Sequence, residues 1–81
     1  MMEIKILGTG CPKCINLEKA ARTAAESFDF EINIGKVTAI DEIMDYGVMI
    51  TPALVIDEKV VSAGKVHSVE QIKEIIVKNK A

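Results

Sequence analysis

The sequence predicts an α/β domain built from a four-stranded mixed sheet and three helices, in the order β-α-β-α-β-β-α. Short runs rich in β-branched residues alternate with segments whose apolar residues repeat every three or four positions, which is typical of alternating strands and helices. The length of 81 residues suits one domain, and 49% of the residues are apolar. We therefore expect a single domain over residues 1–81, in which a parallel strand–helix–strand unit is followed by a hairpin.

The first strand and helix have the clearest patterns. Glu3–Leu7 is a β-rich run, and Gly8 and Gly10 behind it predict a tight turn. A helix is predicted to start at Pro12 or Lys13 and to end near residue 27, because proline suits a first helical turn. Its buried stripe has spacings of four, three and four, at Leu17, Ala21, Ala24 and Phe28.

The next strand and helix are predicted from weaker signals. Phe30–Ile34 alternates apolar and polar residues, which predicts a half-buried strand that ends at Gly35. Thr38 is the expected N-cap of a second helix, with acidic residues in its first turn. The inward face of this helix is predicted to consist of Ile40, Ile43 and Met44.

A hairpin and a third helix complete the domain. Ala53–Ile56 and Val60–Ala63 read as two strands joined over residues 57–59. Ser68, followed three residues later by Gln71, predicts a capping box for a last helix over residues 69–79. The buried stripe of that helix is predicted to be Val69, Ile72, Ile75 and Ile76.

Charge and composition argue against several classes of protein. Ten basic and twelve acidic residues are interspersed and give a net charge of −2, so no basic stripe indicates a nucleic-acid partner. The chain has two Phe, one Tyr and no Trp, too few for a base-stacking platform. No apolar run approaches the roughly 18 residues of a membrane span, and the start lacks signal-peptide features. We therefore expect a cytoplasmic protein without a membrane or nucleic-acid partner.

The two cysteines lie together in Cys11-Pro12-Lys13-Cys14, between the first strand and the first helix. A disulfide across so short a loop constrains the unfolded chain very little, so the pair indicates chemistry or metal binding. At the helix cap, backbone N–H groups and the helix dipole favour a thiolate on Cys11, and Lys13 adds a positive charge. Cys14, one turn inside, is within reach to resolve a mixed disulfide, and Pro12 stiffens the turn.

A soft-metal site is the alternative interpretation of the same pair. Zinc and copper carriers also place Cys-x-x-Cys at a strand-to-helix turn. A structural zinc ion needs about four ligands, which Cys11, Cys14 and the single histidine His67 do not supply within one chain. We expect no metal in one chain, while zinc shared between two subunits remains open.

Thr51-Pro52 opens the third predicted strand. Proline is tolerated at a strand start, where most X–Pro bonds are trans. Considered together with the cysteines, we predict a cis bond that faces Cys11 and Cys14.

These residues carry a family resemblance that covers nearly the whole chain. The run from Gly8 to Cys14, the Thr51-Pro52 pair, Gly64 and the final helix resemble thioredoxin-fold proteins. Size and the run from residue 46 to residue 57 look most like the short prokaryotic thioredoxin-like proteins called redox-active disulfide protein 2. The resemblance implies a thiol–disulfide oxidoreductase of thioredoxin-like fold. Cys11 would be its nucleophile and Cys14 its resolving thiol; Pro52 would be cis beside them, and Thr51 would offer backbone groups to an extended substrate.

The resemblance also implies partners, and two departures from it bear on them. A monomer without a cofactor would exchange disulfides with a protein disulfide reductase and with oxidised protein substrates. Lys5 stands where thioredoxins carry a buried aspartate that assists proton transfer by the second cysteine. The segment Ala63–His67 lacks the Gly-Gly and Asp that hold glutathione in glutaredoxins, so we expect exchange with protein dithiols.

Overall fold

The computed structural model describes residues 2–10 and 12–79, so Cys11 lies outside the described residues. Its elements run β1 (Met2–Leu7), α1 (Pro12–Ala25), β2 (Ile32–Val37), α2 (Ile40–Asp45), β3 (Ala53–Ile56), β4 (Lys59–Ala63) and α3 (Val69–Asn79). This order confirms the predicted β-α-β-α-β-β-α arrangement. Within the described ranges, no helix is both long and apolar enough to cross a membrane.

The four strands form one mixed sheet in the order β2-β1-β3-β4. β1 and β2 are parallel, whereas β3 is antiparallel to both β1 and β4. The β3–β4 register shifts between Leu54 and Val55. Leu54 pairs with Ser62 and Val55 with Val60, so β4 carries Val61 as an extra residue. The predicted parallel unit followed by a hairpin is therefore confirmed.

The helices cover the two faces of the sheet unequally. α1 and α3 lie on one face, over a buried cluster of Met2, Ile4, Ile6, Leu17, Ala21, Ala24, Leu54, Ile56, Ile72 and Ile76. The other face carries α2 over a smaller cluster of Leu7, Ile43, Val48, Ala53 and Val55. Both faces of β3 are buried, as expected for a strand in the middle of a sheet with helices on both sides.

The predicted bounds of the second strand are wrong. β2 begins at Ile32 and continues through Gly35 to Val37, instead of covering Phe30–Ile34. β1 provides a continuous row of parallel partners, and Gly35 pairs opposite Lys5. Tertiary pairing thus outweighs the weak strand propensity of glycine. Phe30 lies before the strand and packs its ring against Phe28, with centroids 5.5 Å apart.

The prediction for α2 is also partly wrong. Its N-cap is Ala39, which makes no side-chain capping hydrogen bond, and not Thr38. Ile43 is buried, but Ile40 and Met44 are 64% and 66% exposed. A helix of six residues has fewer than two turns, so little more than one residue faces the sheet.

The hairpin and α3 follow their predictions closely. β4 begins at Lys59, one residue earlier than predicted, so the turn consists of Asp57 and Glu58. Both turn residues have positive φ, 49° and 69°, as a type I′ turn requires. The capping box of α3 is present: the Ser68 N–H donates to Gln71 Oε1 (3.0 Å) and the Gln71 N–H donates to Ser68 Oγ (3.2 Å).

Candidate active site

Helix α1 holds one of the two cysteines in its first turn. Cys14 is 5% exposed, whereas Pro12 and Lys13 before it are exposed. Cys11 directly precedes Pro12 in the sequence and lies outside the described residues, so its predicted position receives no structural account. The described part of the motif thus presents two exposed residues and a shielded thiol.

The Cys14 sulfur lies against Gly8. A Cβ on Gly8 would collide with Cys14 Sγ and would lie 4.0 Å from Thr51 Cβ. The absence of a side chain at Gly8 therefore brings the thiol and the loop before β3 together. Sequence reasoning assigned Gly8 to a tight turn, but what requires glycine here is this close approach.

The Thr51–Pro52 peptide bond is cis, as predicted. Pro52 is buried and Thr51 is exposed, and a Cβ on Gly8 would contact both Cys14 Sγ and Thr51 Cβ, so Thr51 lies close to Cys14. The Gly64 N–H donates to the Pro52 carbonyl at 2.8 Å, which ties this loop to the end of β4. A Cβ on Gly64 would lie 2.8 Å from Ile50 Cγ2, so the Ile50 side chain packs over a glycine.

An apolar groove of about 360 Å³ opens beside Thr51. Its lining residues are Thr9, Ile40, Ile43, Met44, Val48, Met49 and Thr51. Met49 is 97% exposed, and Ile50 next to it is 64% exposed. Ile40 and Met44 of α2 line this groove, although the sequence predicted that both would face inward. Helical periodicity is the same for a buried stripe and for an exposed one, so it did not reveal the groove.

A larger cavity of about 660 Å³ lies around Lys5, Tyr46 and Glu58. The Lys5 ammonium donates to Glu58 Oε1 (2.7 Å) and to the Tyr46 hydroxyl (3.1 Å), and that hydroxyl donates to Glu58 Oε2 (3.1 Å). The hydrogen bond to Glu58, and then the one to Tyr46, raises the pKa of Lys5. Lys5 is therefore engaged in a charged cluster around the hairpin turn, and we take the apolar groove beside Thr51 as the candidate binding surface.

Two further charged residues lie close to Cys14. Glu18 and Lys36 line a small cavity of about 40 Å³ together with Cys14 and Gly8. Glu18 accepts two hydrogen bonds from Arg22, which are the main reason that its pKa lies below the usual range. Helical spacing could have found Glu18, which follows Cys14 by four residues. Lys36 was missed because the second strand was predicted to end before it.

His67, the single histidine, is half-buried in the segment before α3, where its Nε2 lies 2.6 Å from Ser62 Oγ.

Known proteins are similar in sequence to this chain over almost its whole length. A family model described as a thioredoxin domain matches residues 2–77. The chain belongs to the thioredoxin domain family. A thioredoxin of Methanocaldococcus jannaschii is 42% identical over 74 residues, which cover 91% of this chain and 85% of that protein. A thioredoxin of Methanothermobacter thermautotrophicus is 38% identical over 76 residues, which cover 94% of this chain and 99% of that protein.

The family membership confirms the resemblance and the thioredoxin-like fold that it implied. Similarity to these thioredoxins supports a thiol–disulfide oxidoreductase-like role for the chain.

Proposed function

We propose that this thioredoxin-family chain exchanges a dithiol–disulfide pair with protein partners, with Cys11 as the attacking thiol and Cys14 as the resolving thiol. The observation that carries the proposal is the position of Cys14, 5% exposed in the first turn of α1 beside Thr51. A thiol shielded in this way reacts with a neighbouring sulfur more readily than with an external disulfide. Cys11 precedes the helix in the sequence, where the helix N-terminus and the exposed Lys13 favour a thiolate.

The proposed exchange has two steps. The Cys11 thiolate attacks one sulfur of a target disulfide, forms a mixed disulfide and releases the other target sulfur as a thiolate. The Cys14 thiolate then attacks the Cys11 sulfur, and the second target sulfur leaves as a thiolate. The target gains two electrons and two protons, and the chain is left with a Cys11–Cys14 disulfide. An upstream dithiol then reduces the Cys11–Cys14 disulfide by two further exchanges of the same kind and is itself oxidised to a disulfide.

We propose that the apolar groove binds the substrate protein around its disulfide. Met49 and Ile40 are 97% and 64% exposed, so an apolar side chain from a protein segment would cover them. Exposed Thr51, at the edge of the groove, would pair its backbone with the same extended segment. Such a surface favours protein substrates over glutathione, which is small and charged.

We also propose the partners of the exchange and the compartment in which it takes place. A protein disulfide reductase would act upstream and oxidised proteins downstream of a monomer that needs no cofactor. The exchange would take place in the cytoplasm, where reducing systems keep thiols reduced. Pro12 would stiffen the turn between the two cysteines.

Trapping of mixed disulfides tests the roles of the two thiols. Cys14→Ser removes the resolving thiol, so partner proteins should accumulate as mixed disulfides on Cys11. Cys11→Ser is the matched control and should trap few partners, because Cys14 is shielded. The measurement is a non-reducing gel of proteins captured by each reduced variant from a cell extract prepared without added reductant, in which dithiothreitol must collapse the high-mass bands.

Two results would contradict the proposal. Equal, empty lanes for both variants, together with stoichiometric zinc or copper in the unaltered protein, would favour the metal-binding alternative. Turnover that depends on glutathione, and not on a thioredoxin reductase, would assign the chain a glutaredoxin-like activity.

A further inference from the structure

The resolving step requires Cys14 to lose its proton in a shielded position. Cys14 as a residue is 5% exposed, and its sulfur lies against the Gly8 backbone. Attack on a disulfide needs the thiolate, so the charges around the sulfur influence when Cys14 reacts. The described residues that line the cavity at Cys14 include one carboxylate, Glu18, and one ammonium group, Lys36.

Glu18 lies one helical turn after Cys14 on the same face of α1. Side chains four residues apart on a helix have Cβ atoms about 5–6 Å apart. Both residues line the same cavity of about 40 Å³. A cavity of this size is large enough for a water molecule, and the Glu18 carboxylate provides a polar partner.

Two cations hold the Glu18 carboxylate in place. Arg22 donates to Oε2 from two nitrogens, at 3.0 and 2.8 Å, and Lys36 Nζ lies 3.5 Å from Oε1. The Glu18 side chain is only 15% exposed, while those of Lys36 and Arg22 are 57% and 54% exposed. The pKa of Glu18 is lowered, chiefly by the Arg22 hydrogen bonds, so the carboxylate remains charged at neutral pH.

Lys36 reaches this carboxylate from the other side of the cavity. It lies on β2, where it pairs in register with Ile6 of β1, and Thr38 follows it at the cavity. The pair therefore joins α1 to the sheet beside the thiol. Lys5 is not part of it, because its ammonium group is bonded to Glu58 and Tyr46.

We propose that the ion pair between Glu18 and Lys36 tunes the acidity of the Cys14 thiol, with the carboxylate opposing thiolate formation and the ammonium favouring it. Both are positioning residues, since they act through Cys14 and do not touch the substrate. Their effect on the exchange reaction rests on the proposed function, whereas their effect on the thiol does not.

Single substitutions should move the Cys14 pKa in opposite directions. Glu18→Gln leaves the Lys36 charge behind and should lower the pKa of Cys14 by about one pH unit, roughly a tenfold rise in thiolate at neutral pH. Lys36→Gln leaves the carboxylate and should raise that pKa by a smaller amount, because Lys36 is more exposed. The double variant should lie between the two.

The measurement is a pH titration of the reduced protein, in which the Cβ carbon shift of labelled Cys14 is followed by NMR. Glu26→Gln and Lys19→Gln are matched controls for the two charges, since both residues are exposed and neither lines the cavity. Glu18→Asp keeps the charge and should restore the titration. A structural role for Glu18 would weaken the helix without moving the titration of Cys14.

Two outcomes would overturn the inference. Glu18→Gln and Lys36→Gln could shift the titration in the same direction, or Glu18→Gln could shift it no more than Glu26→Gln. A second readout follows the pH dependence of the release of a small aromatic thiol from its mixed disulfide with Cys11, whose midpoint should move with the Cys14 pKa. Failure to form that mixed disulfide would count against the proposed function, while the NMR titration would still decide this inference.

Discussion

The two faces of the sheet differ in how they use apolar side chains. Among the described residues, the face under α1 and α3 has a buried apolar cluster of ten residues. The face under α2 buries five, and leaves Ile40 and Met44 of the helix and Met49 of the following loop exposed. Because burial of apolar surface stabilises a fold, we expect the first face to contribute more to the stability of the domain than the second. The second face leaves an apolar groove exposed, which we propose as the binding surface.

The candidate site lies where the two faces meet. Cys14 belongs to α1 and Thr51 to the loop that follows α2, and Gly8, directly after β1, lets the two come close together. The shielded thiol thus comes from the packed side, and the groove that we propose binds the substrate protein comes from the open side.

Truncation of one isoleucine on each face should show the difference in stability between the two faces most strongly. Ile72→Ala in α3 should lower the free energy of unfolding by about 4 kcal/mol, because a fully buried side chain leaves a cavity between two helices and the sheet. Ile43→Ala should cost about 2 kcal/mol, since the short α2 can settle into the space. Urea unfolding measures both values. Val77→Ala, at a 58% exposed position, is the control, and equal costs for the two isoleucines would refute the asymmetry.

An added methyl group at Gly8, where the two faces meet, should have the next largest effect on stability. Gly8→Ala places a Cβ against Cys14 Sγ and should lower the free energy of unfolding by about 1–3 kcal/mol, as overpacking does. Gly35→Ala is the matched control, because a Cβ there meets nothing within 4 Å. Denaturation of both reduced variants measures the difference. A Gly8→Ala variant as stable as Gly35→Ala would mean that the sulfur moves aside without cost.

Substitution on the open face should separate binding from stability. Met49→Gln should change the free energy of unfolding by less than about 0.5 kcal/mol, because the side chain is 97% exposed. Its KM for a protein disulfide should rise roughly fivefold, for a loss of about 1 kcal/mol of apolar burial in the complex. Val77→Gln on α3 should leave KM unchanged, and a small disulfide substrate should not distinguish the variants. An unaltered KM for Met49→Gln would argue against the groove as the binding surface.

The charged cluster on the open face should have the smallest effect, visible as a pH dependence. Lys5, and then Tyr46, lowers the pKa of Glu58 below its ordinary 4.5, so this pairing stabilises the fold above pH 4.5 and is lost as the pH falls below it. The pKa of Lys5 is raised above 10.5, so the stabilisation of the fold by protonated Lys5 is present below that pH and is lost as the pH rises further. Glu58→Gln should therefore lower the melting temperature slightly between about pH 5 and pH 10, and the difference should narrow toward pH 3. Glu74→Gln on the exposed side of α3 is the control, and a difference that widens in acid would contradict this assignment.

The sequence predicted best those elements whose signals are local. α3 has the predicted bounds because its capping box and apolar stripe both lie within the helix itself. The bounds of β2 depend on pairing with β1, which no local pattern reveals, so the strand was placed too early. In α2, periodicity located the helix but did not distinguish buried Ile43 from exposed Met44.

The residues of the candidate site likewise differ in whether a local sequence pattern predicts them. The motif around Cys14 and the Thr51-Pro52 pair could be predicted, because both are short and contiguous in the sequence. Lys36 and Glu18 meet only when β2 and α1 pack together, so their pairing could not be read from spacing alone.

The hairpin turn at Asp57 and Glu58 has a practical consequence for anyone who wants to graft a peptide onto this domain. Tight hairpin tips at the surface are the usual choice for insertions. Here the Asp57 N–H donates to the Glu3 carbonyl (2.8 Å), Asp57 Oδ1 accepts from the Glu3 N–H (2.9 Å), and Glu58 binds Lys5. An inserted peptide would pull these contacts apart and loosen the first strand, so the turn that looks most convenient as a display loop is a poor one.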